Sequence, residues 1–78
     1  MPDSSERLAR CFRAVFPHLS ESEVVRANTN RTPGWDSLAT TNLVAAVEDE
    51  FEVMFEADEI DRLNSFEAFA QRLSRFRR

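Results

Sequence analysis

The 78-residue chain has no lysine and no tyrosine, and only one glycine, one cysteine, one histidine and one tryptophan. All ten basic residues are arginine, so lysine Schiff-base chemistry is excluded. A lone cysteine excludes an intrachain disulfide and a metal site built of cysteines, and the single histidine adds little to a ligand set. This cysteine usage predicts a reducing, cytoplasmic setting. No stretch approaches the roughly 20 apolar residues that a membrane-spanning helix needs. The N-terminal segment MPDSSERLAR is polar and acidic, so no signal peptide is expected. Without one, the sequon Asn30-Arg31-Thr32 is a chance match.

What is present is enough for a compact core. Hydrophobic residues make up 42% of the chain and include seven phenylalanines. A chain of this length predicts a single domain over residues 1–78, near the lower size limit for folding without staples. The net charge of −4 is unevenly placed: nine acidic and no basic residues lie between Asp36 and Asp61, whereas Arg62 to Arg78 holds five arginines and the acid Glu67. The anionic middle argues against nucleic acid, whose phosphates it would repel, and for protein partners with basic patches. The arginine-rich end RLSRFRR suits the negative end of a helix macrodipole.

Apolar spacing predicts helices throughout and no strand. Ser4 or Ser5 is expected to cap a first helix with Leu8, Cys11, Phe12, Val15 and Phe16 on one face, stopped by Pro17. Cys11 is therefore expected as a core thiol. Residues 18–35 form a long connection, with a short turn at Ser20–Glu23 pinned by Val24 and Val25, then the turn chemistry of ANTNRTPGW. A second helix is predicted from the Asp36-Ser37 step to about Glu52. Leu43, Ala46, Val47 and Phe51 form its inward stripe, leaving Leu38, Val44 and Ala45 partly exposed. A short segment, EADEIDRL, buries Ile60 and Leu63. Ser65 then caps a last helix with Phe66, Phe69, Ala70, Leu73 and Phe76 inward. The expected fold class is all-α: a small four-helix bundle of three main helices and one short one.

Catalysis finds little support. Ser37, His18 and Asp36 supply the residue types of a hydrolase triad, but the sharp G-x-S-x-G elbow is absent around Ser37. His18 fits a surface or capping role. The acidic run EDEFEVMFEADEID lacks the central glycine and alternate carboxylates of an EF-hand loop, so no metal site is expected. Ser37 at a helix start has a plain structural reading, with Asp36 as its cap. Its setting also suits a covalent anion: a helix N-terminus carries partial positive charge and free N–H groups, so a phosphodiester on the hydroxyl would meet a favourable field.

The stretch GWDSLATTNLVAAVEDEFEVMFEADEIDRLNSFEAF resembles the acyl carrier proteins. The attachment motif is Asp36-Ser37-Leu38. Leu43-Val44, Val47-Glu48 and Glu50-Phe51 follow the family's second helix, and Ile60 with Ser65-Phe66 follows the third and fourth. The resemblance implies a right-handed helical bundle and a carrier that performs no catalysis. A phosphopantetheinyl transferase would move 4′-phosphopantetheine from coenzyme A onto Ser37, and the arm's thiol would hold an acyl group as a thioester. Asp36 matches the acid that helps position metal and transferase. Leu38, Val44, Glu48 and Glu50 match the surface read by acyl ligases or synthases with basic patches. The helices' inward faces would also enclose a fatty chain. A cytoplasmic monomer that binds neither nucleic acid nor membrane is expected.

Departures refine this expectation. Carriers of bacterial fatty-acid synthesis usually place acids where this chain has Ala39 and Asn42, and Trp35 replaces a small residue before the motif. They point to a specialised stand-alone carrier for a dedicated ligase or a secondary pathway such as polyketide assembly, with an aminoacyl or D-alanyl carrier as an alternative. The competing readings outside the carrier class are an unmodified acidic interaction module and a serine hydrolase.

Overall fold

The computed structural model describes residues 4–75. Five helices follow one another: α1 (Ser4–Val15), α2 (Glu21–Val24), α3 (Ser37–Phe51), α4 (Ala57–Ile60) and α5 (Phe66–Ser74). No strand forms among the described residues, so the all-α expectation holds, but two helices are short rather than one. The additional one is α2, a single turn closed by a capping box. Ser20 Oγ accepts from the Glu23 amide at 3.3 Å and Glu23 Oε1 accepts from the Ser20 amide at 2.8 Å. Among the described residues no helix is long and apolar enough to cross a membrane.

Apolar periodicity accounts for α1. Leu8, Cys11, Phe12 and Phe16 are buried, and Val15 is half-buried at the edge of the stripe. Ser4 and Ser5 lie inside the helix, so neither is its cap; the preceding position is outside the described residues. Phe12 sits at the centre of the core. Its ring packs edge-on against Trp35, Phe66 and Phe69 at centroid distances of 5.6, 5.2 and 5.4 Å. Burying each such ring contributes about 2–3 kcal/mol, with somewhat more from the edge-to-face geometry.

The connection from α2 to α3 is packed, not loose. Val24 is fully buried, whereas Val25 is half-exposed and does not pin the turn as expected. Asn28 Oδ1 accepts from the amides of Asn30 and Arg31 at 2.9 and 3.0 Å, an Asx-type turn. Thr32 is buried and its Oγ1 accepts from the Asn28 amide. An isolated bridge joins Asn28 to Ser65: the Thr29 amide donates to Asn64 O and the Phe66 amide to Ala27 O, both at 3.0 Å. Gly34 has φ +84°, and there the glycine is needed for its backbone freedom.

Helix α3 differs from its expected face. Leu43 and Val47 are fully buried, but Ala46 and Phe51 are only half-buried, while Val44 is buried at 7% exposure. Ala39, Leu43, Val44 and Val47 together cover about 140° of the helix at 3.6 residues per turn. The buried face is thus wider than a narrow stripe and takes in Val44. Leu38 stays out at 66% exposure. Ile60, the last residue of α4, is half-buried, and Leu63 beyond it is buried. Ser65 caps α5 as expected, its Oγ accepting from the Ala68 amide at 3.0 Å, and Phe66, Phe69 and Leu73 are buried. Phe76 lies outside the described residues.

Candidate functional site

The turn at Pro33-Gly34 delivers the chain to α3. The Trp35 amide donates to Thr32 O at 3.2 Å, and the Asp36 amide to Gly34 O at 3.1 Å. Trp35 then turns inward and is buried against Phe12 and Phe16, while Asp36, Ser37 and Leu38 remain exposed. Asp36 is extended (φ −113°, ψ −170°) and is the N-cap of α3: its Oδ1 accepts from the Ala39 amide at 2.9 Å. The Asp36 carbonyl accepts from the Thr40 amide at 3.0 Å and from Thr40 Oγ1 at 3.2 Å. Trp35 Nε1 in turn donates to Thr40 Oγ1 at 2.8 Å.

Ser37 therefore opens a helix of 15 residues, with its hydroxyl in solvent. Among the described residues, no hydrogen bond occupies its Oγ or the amides of Ser37 and Leu38. The third amide of the turn belongs to Asp36. Two free N–H groups at the positive end of a helix suit a phosphodiester on the adjoining oxygen. A shallow hollow of about 270 Å³ adjoins the serine. Thr29, Thr40, Thr41 and Asn64 give it polar walls, and Ile60 and Leu63 an apolar side. This setting fits a phosphate-linked arm leaving the protein at Ser37.

The triad alternative is not assembled. Nothing among the described residues accepts a hydrogen bond from Ser37 Oγ, so no base activates it in place. His18 is exposed and its ring packs on Phe16, 6.1 Å between centroids. No group of three histidine, cysteine, aspartate or glutamate residues suited to a metal ion occurs among the described residues.

The structure separates the remaining expected site residues. Leu38 is the exposed apolar residue beside Ser37. Val44 is buried, so the expectation of an exposed docking contact there is corrected. Glu48 is half-buried and its Oε2 accepts from the Phe55 amide at 2.8 Å, bracing the loop after α3. Glu50 is exposed but paired with Arg7 of α1, Nε to Oε2 at 2.8 Å. The Trp35–Thr40 hydrogen bond was absent from the sequence expectation. The only signal for it was a threonine at the fourth position of a helix behind a tryptophan that could reach back to it.

The family model of the phosphopantetheine attachment site matches residues 33–73, more than half of the chain. This chain belongs to that family. The match begins at the Pro33-Gly34 turn and runs through α3 and α4 to the last turn of α5. No curated protein and no solved structure matches the chain. Phosphopantetheine carriers bear 4′-phosphopantetheine covalently and are carriers rather than catalysts. They work with a phosphopantetheinyl transferase and with synthase enzymes in general. The Cys11 thiol is buried, donates weakly to Ala46 O at 3.7 Å, and is pushed above its ordinary pKa first by burial and then by Glu50.

Proposed function

We propose that this chain is an acyl carrier, a single domain over residues 1–78, in which Ser37 Oγ attacks the pyrophosphate of coenzyme A, receives the 4′-phosphopantetheine arm and releases adenosine 3′,5′-bisphosphate. The observation that carries this reading is the free, exposed hydroxyl at the first position of α3, inside the matched segment and next to two unpaired helix amides. The arm supplies a terminal thiol that holds an acyl or aminoacyl group as a thioester. Ser37 anchors it through a phosphodiester, and the amides of Ser37 and Leu38 face that negative charge. Asp36 holds the turn by capping Ala39 and keeps the rest of its carboxylate for the metal and transferase that attach the arm.

Leu38 presents an apolar contact to the partner enzyme, and the exposed acids Asp49, Glu52, Glu56 and Asp58 attract a basic patch. Glu50, neutralised by Arg7, adds little to that field, and Glu48 and Val44 support the surface from beneath. With neutral Ala39 and Asn42 opening α3, the acidic field sits toward that helix's C-terminal end and the loop beyond. This displacement favours a specialised carrier, serving a dedicated ligase or a secondary pathway, over one read by the general fatty-acid enzymes. The carrier acts as a cytoplasmic monomer.

The test is intact mass before and after incubation with coenzyme A and a broad-specificity phosphopantetheinyl transferase. The parent protein gains one phosphopantetheine and Ser37→Ala gains none. No gain on a folded parent would leave an unmodified acidic docking module, and ester turnover by the unmodified protein would restore the hydrolase reading.

A further inference from the structure

The side chain just before the attachment motif is the chain's sole tryptophan, and it is 7% exposed. Its indole ring lies 5.6 Å from the ring of Phe12 on α1 and 5.5 Å from the ring of Phe16, the residue that follows that helix. Its N–H reaches the other way, to Thr40 Oγ1 at 2.8 Å. That hydroxyl hands its own proton to the Asp36 carbonyl at 3.2 Å, which the Thr40 amide also bonds at 3.0 Å. Asp36 is thus gripped at its carbonyl by two donors and at its carboxylate by the Ala39 amide. Each of these contacts lies in the turn that sets the direction of the Ser37 side chain.

We infer that Trp35 is a positioning residue for modification of Ser37: through Thr40 it locks the Asp36 cap to the aromatic core, and so holds the serine hydroxyl in one place. The inference rests on Ser37 being the attachment site. The physical need is plain. Ser37 is solvent-exposed and no hydrogen bond restrains its hydroxyl, so its aim comes only from the backbone of the first turn. The first turn of a helix is where fraying is greatest, because its amides lack intrahelical partners. A rigid bond from the core to that turn removes the fraying, and attack by a hydroxyl on a bound phosphorus centre is steeply sensitive to placement. Plain core packing explains the buried ring; it does not require the indole N–H to end on Thr40 or Thr40 to end on Asp36.

Three variants separate packing from positioning. Trp35→Phe keeps an aromatic ring and loses the N–H. Thr40→Val keeps the shape and loses the acceptor. Thr40→Ser keeps the hydroxyl. Rates of phosphopantetheine uptake are measured at saturating coenzyme A with varied carrier, at a temperature where circular dichroism shows every protein folded. Expected is a fall of about tenfold in kcat for Trp35→Phe and for Thr40→Val, with KM for the carrier within about twofold, because aim and not docking is lost. The double variant falls no further than either single, since both break one chain of bonds. Thr40→Ser restores the rate. In the unmodified proteins, exchange of the Ala39 amide speeds up in Trp35→Phe and Thr40→Val and stays slow in Thr40→Ser. Should Trp35→Phe not fold, the two Thr40 variants decide alone. Wild-type kcat in the folded variants, a loss confined to KM, or no recovery in Thr40→Ser overturns the positioning role while leaving attachment at Ser37 intact. A folded parent that takes up no phosphopantetheine overturns the attachment reading, and the positioning role with it.

Discussion

Arg7 on α1 holds Glu50 at the end of α3 by two separate bonds. Its Nε meets the carboxylate at 2.8 Å and its Nη2 meets the Glu50 backbone carbonyl at 2.7 Å, while the guanidinium lies 4.5 Å from the centroid of the Phe51 ring. One side chain thus neutralises an acid, satisfies a carbonyl of the last helical turn and covers a half-buried aromatic ring.

The two partners are therefore unequal. Arg7→Ala loses all three contacts and is expected to cost about 1–2 kcal/mol; both side chains are partly exposed, which keeps the ion pair itself small. Glu50→Ala keeps the carbonyl bond and the ring contact and is expected to cost under about 0.5 kcal/mol. Urea unfolding of both variants checks the order. Equal losses would mean the carboxylate carries the whole contact.

Glu52 closes α3 in the left-handed region, with φ 55° and ψ 48°, a conformation that suits glycine. Glu52→Gly removes the Cβ strain and one charge from a crowded acidic segment. It is expected to stabilise the fold by about 0.5–1 kcal/mol, against the entropy that a glycine adds to the unfolded chain. A thermal melt a few degrees above wild type bears this out, and a lower one shows that the αL turn is not strained.

Two carboxylates lend the fold a pH dependence. Glu59 is held below the usual carboxylate range chiefly by its hydrogen bond from Arg72, and Glu23 chiefly by the Ser20 amide. Because the folded pKa lies below the unfolded one, the contribution of each is complete above the ordinary glutamate range. It is lost as pH falls through that range toward the lowered folded value. Melting temperature followed from pH 7 downward should fall in wild type and fall less steeply in Glu59→Gln, which starts lower at neutral pH. Parallel curves would remove Glu59 from the acid response.

The buried Cys11 thiol is expected to resist alkylation in the folded carrier and to react fully once urea unfolds it. Iodoacetamide labelling followed by intact mass checks this. Fast labelling under native conditions would mean that the interface between α1 and α3 opens often.

Much of this arrangement is legible in the sequence. Helical spacing marks α1, α3 and α5, and Ser65 and Asp36 stand where their caps form, because these signals are local. What escaped was set by packing at a distance. Val44 is buried because α3 is covered over a broad arc, which no single apolar stripe reveals. Glu48 and Glu50 read as free surface acids, yet one serves the Phe55 amide and the other Arg7, 43 positions away. Helix α2 is too short for periodicity, although its Ser20–Glu23 box was written in the sequence. In the site, Ser37 and Asp36 were legible as a motif. Thr40 was not, since its role depends on where the Trp35 ring lodges among side chains of α1.

The bridge between Asn28 and Ser65 has a mechanical consequence. It gathers the feet of an excursion that leaves at Thr29 and returns at Asn64, carrying the Pro33-Gly34 turn, α3 and α4. A tug on Ser37 travels eight residues back along the backbone to that knot and passes straight into the start of α5, bypassing the long way round through α3 and α4. The two anchored flanks share the load, while α3 itself stays fixed against α1 through its buried face and the Arg7–Glu50 contact.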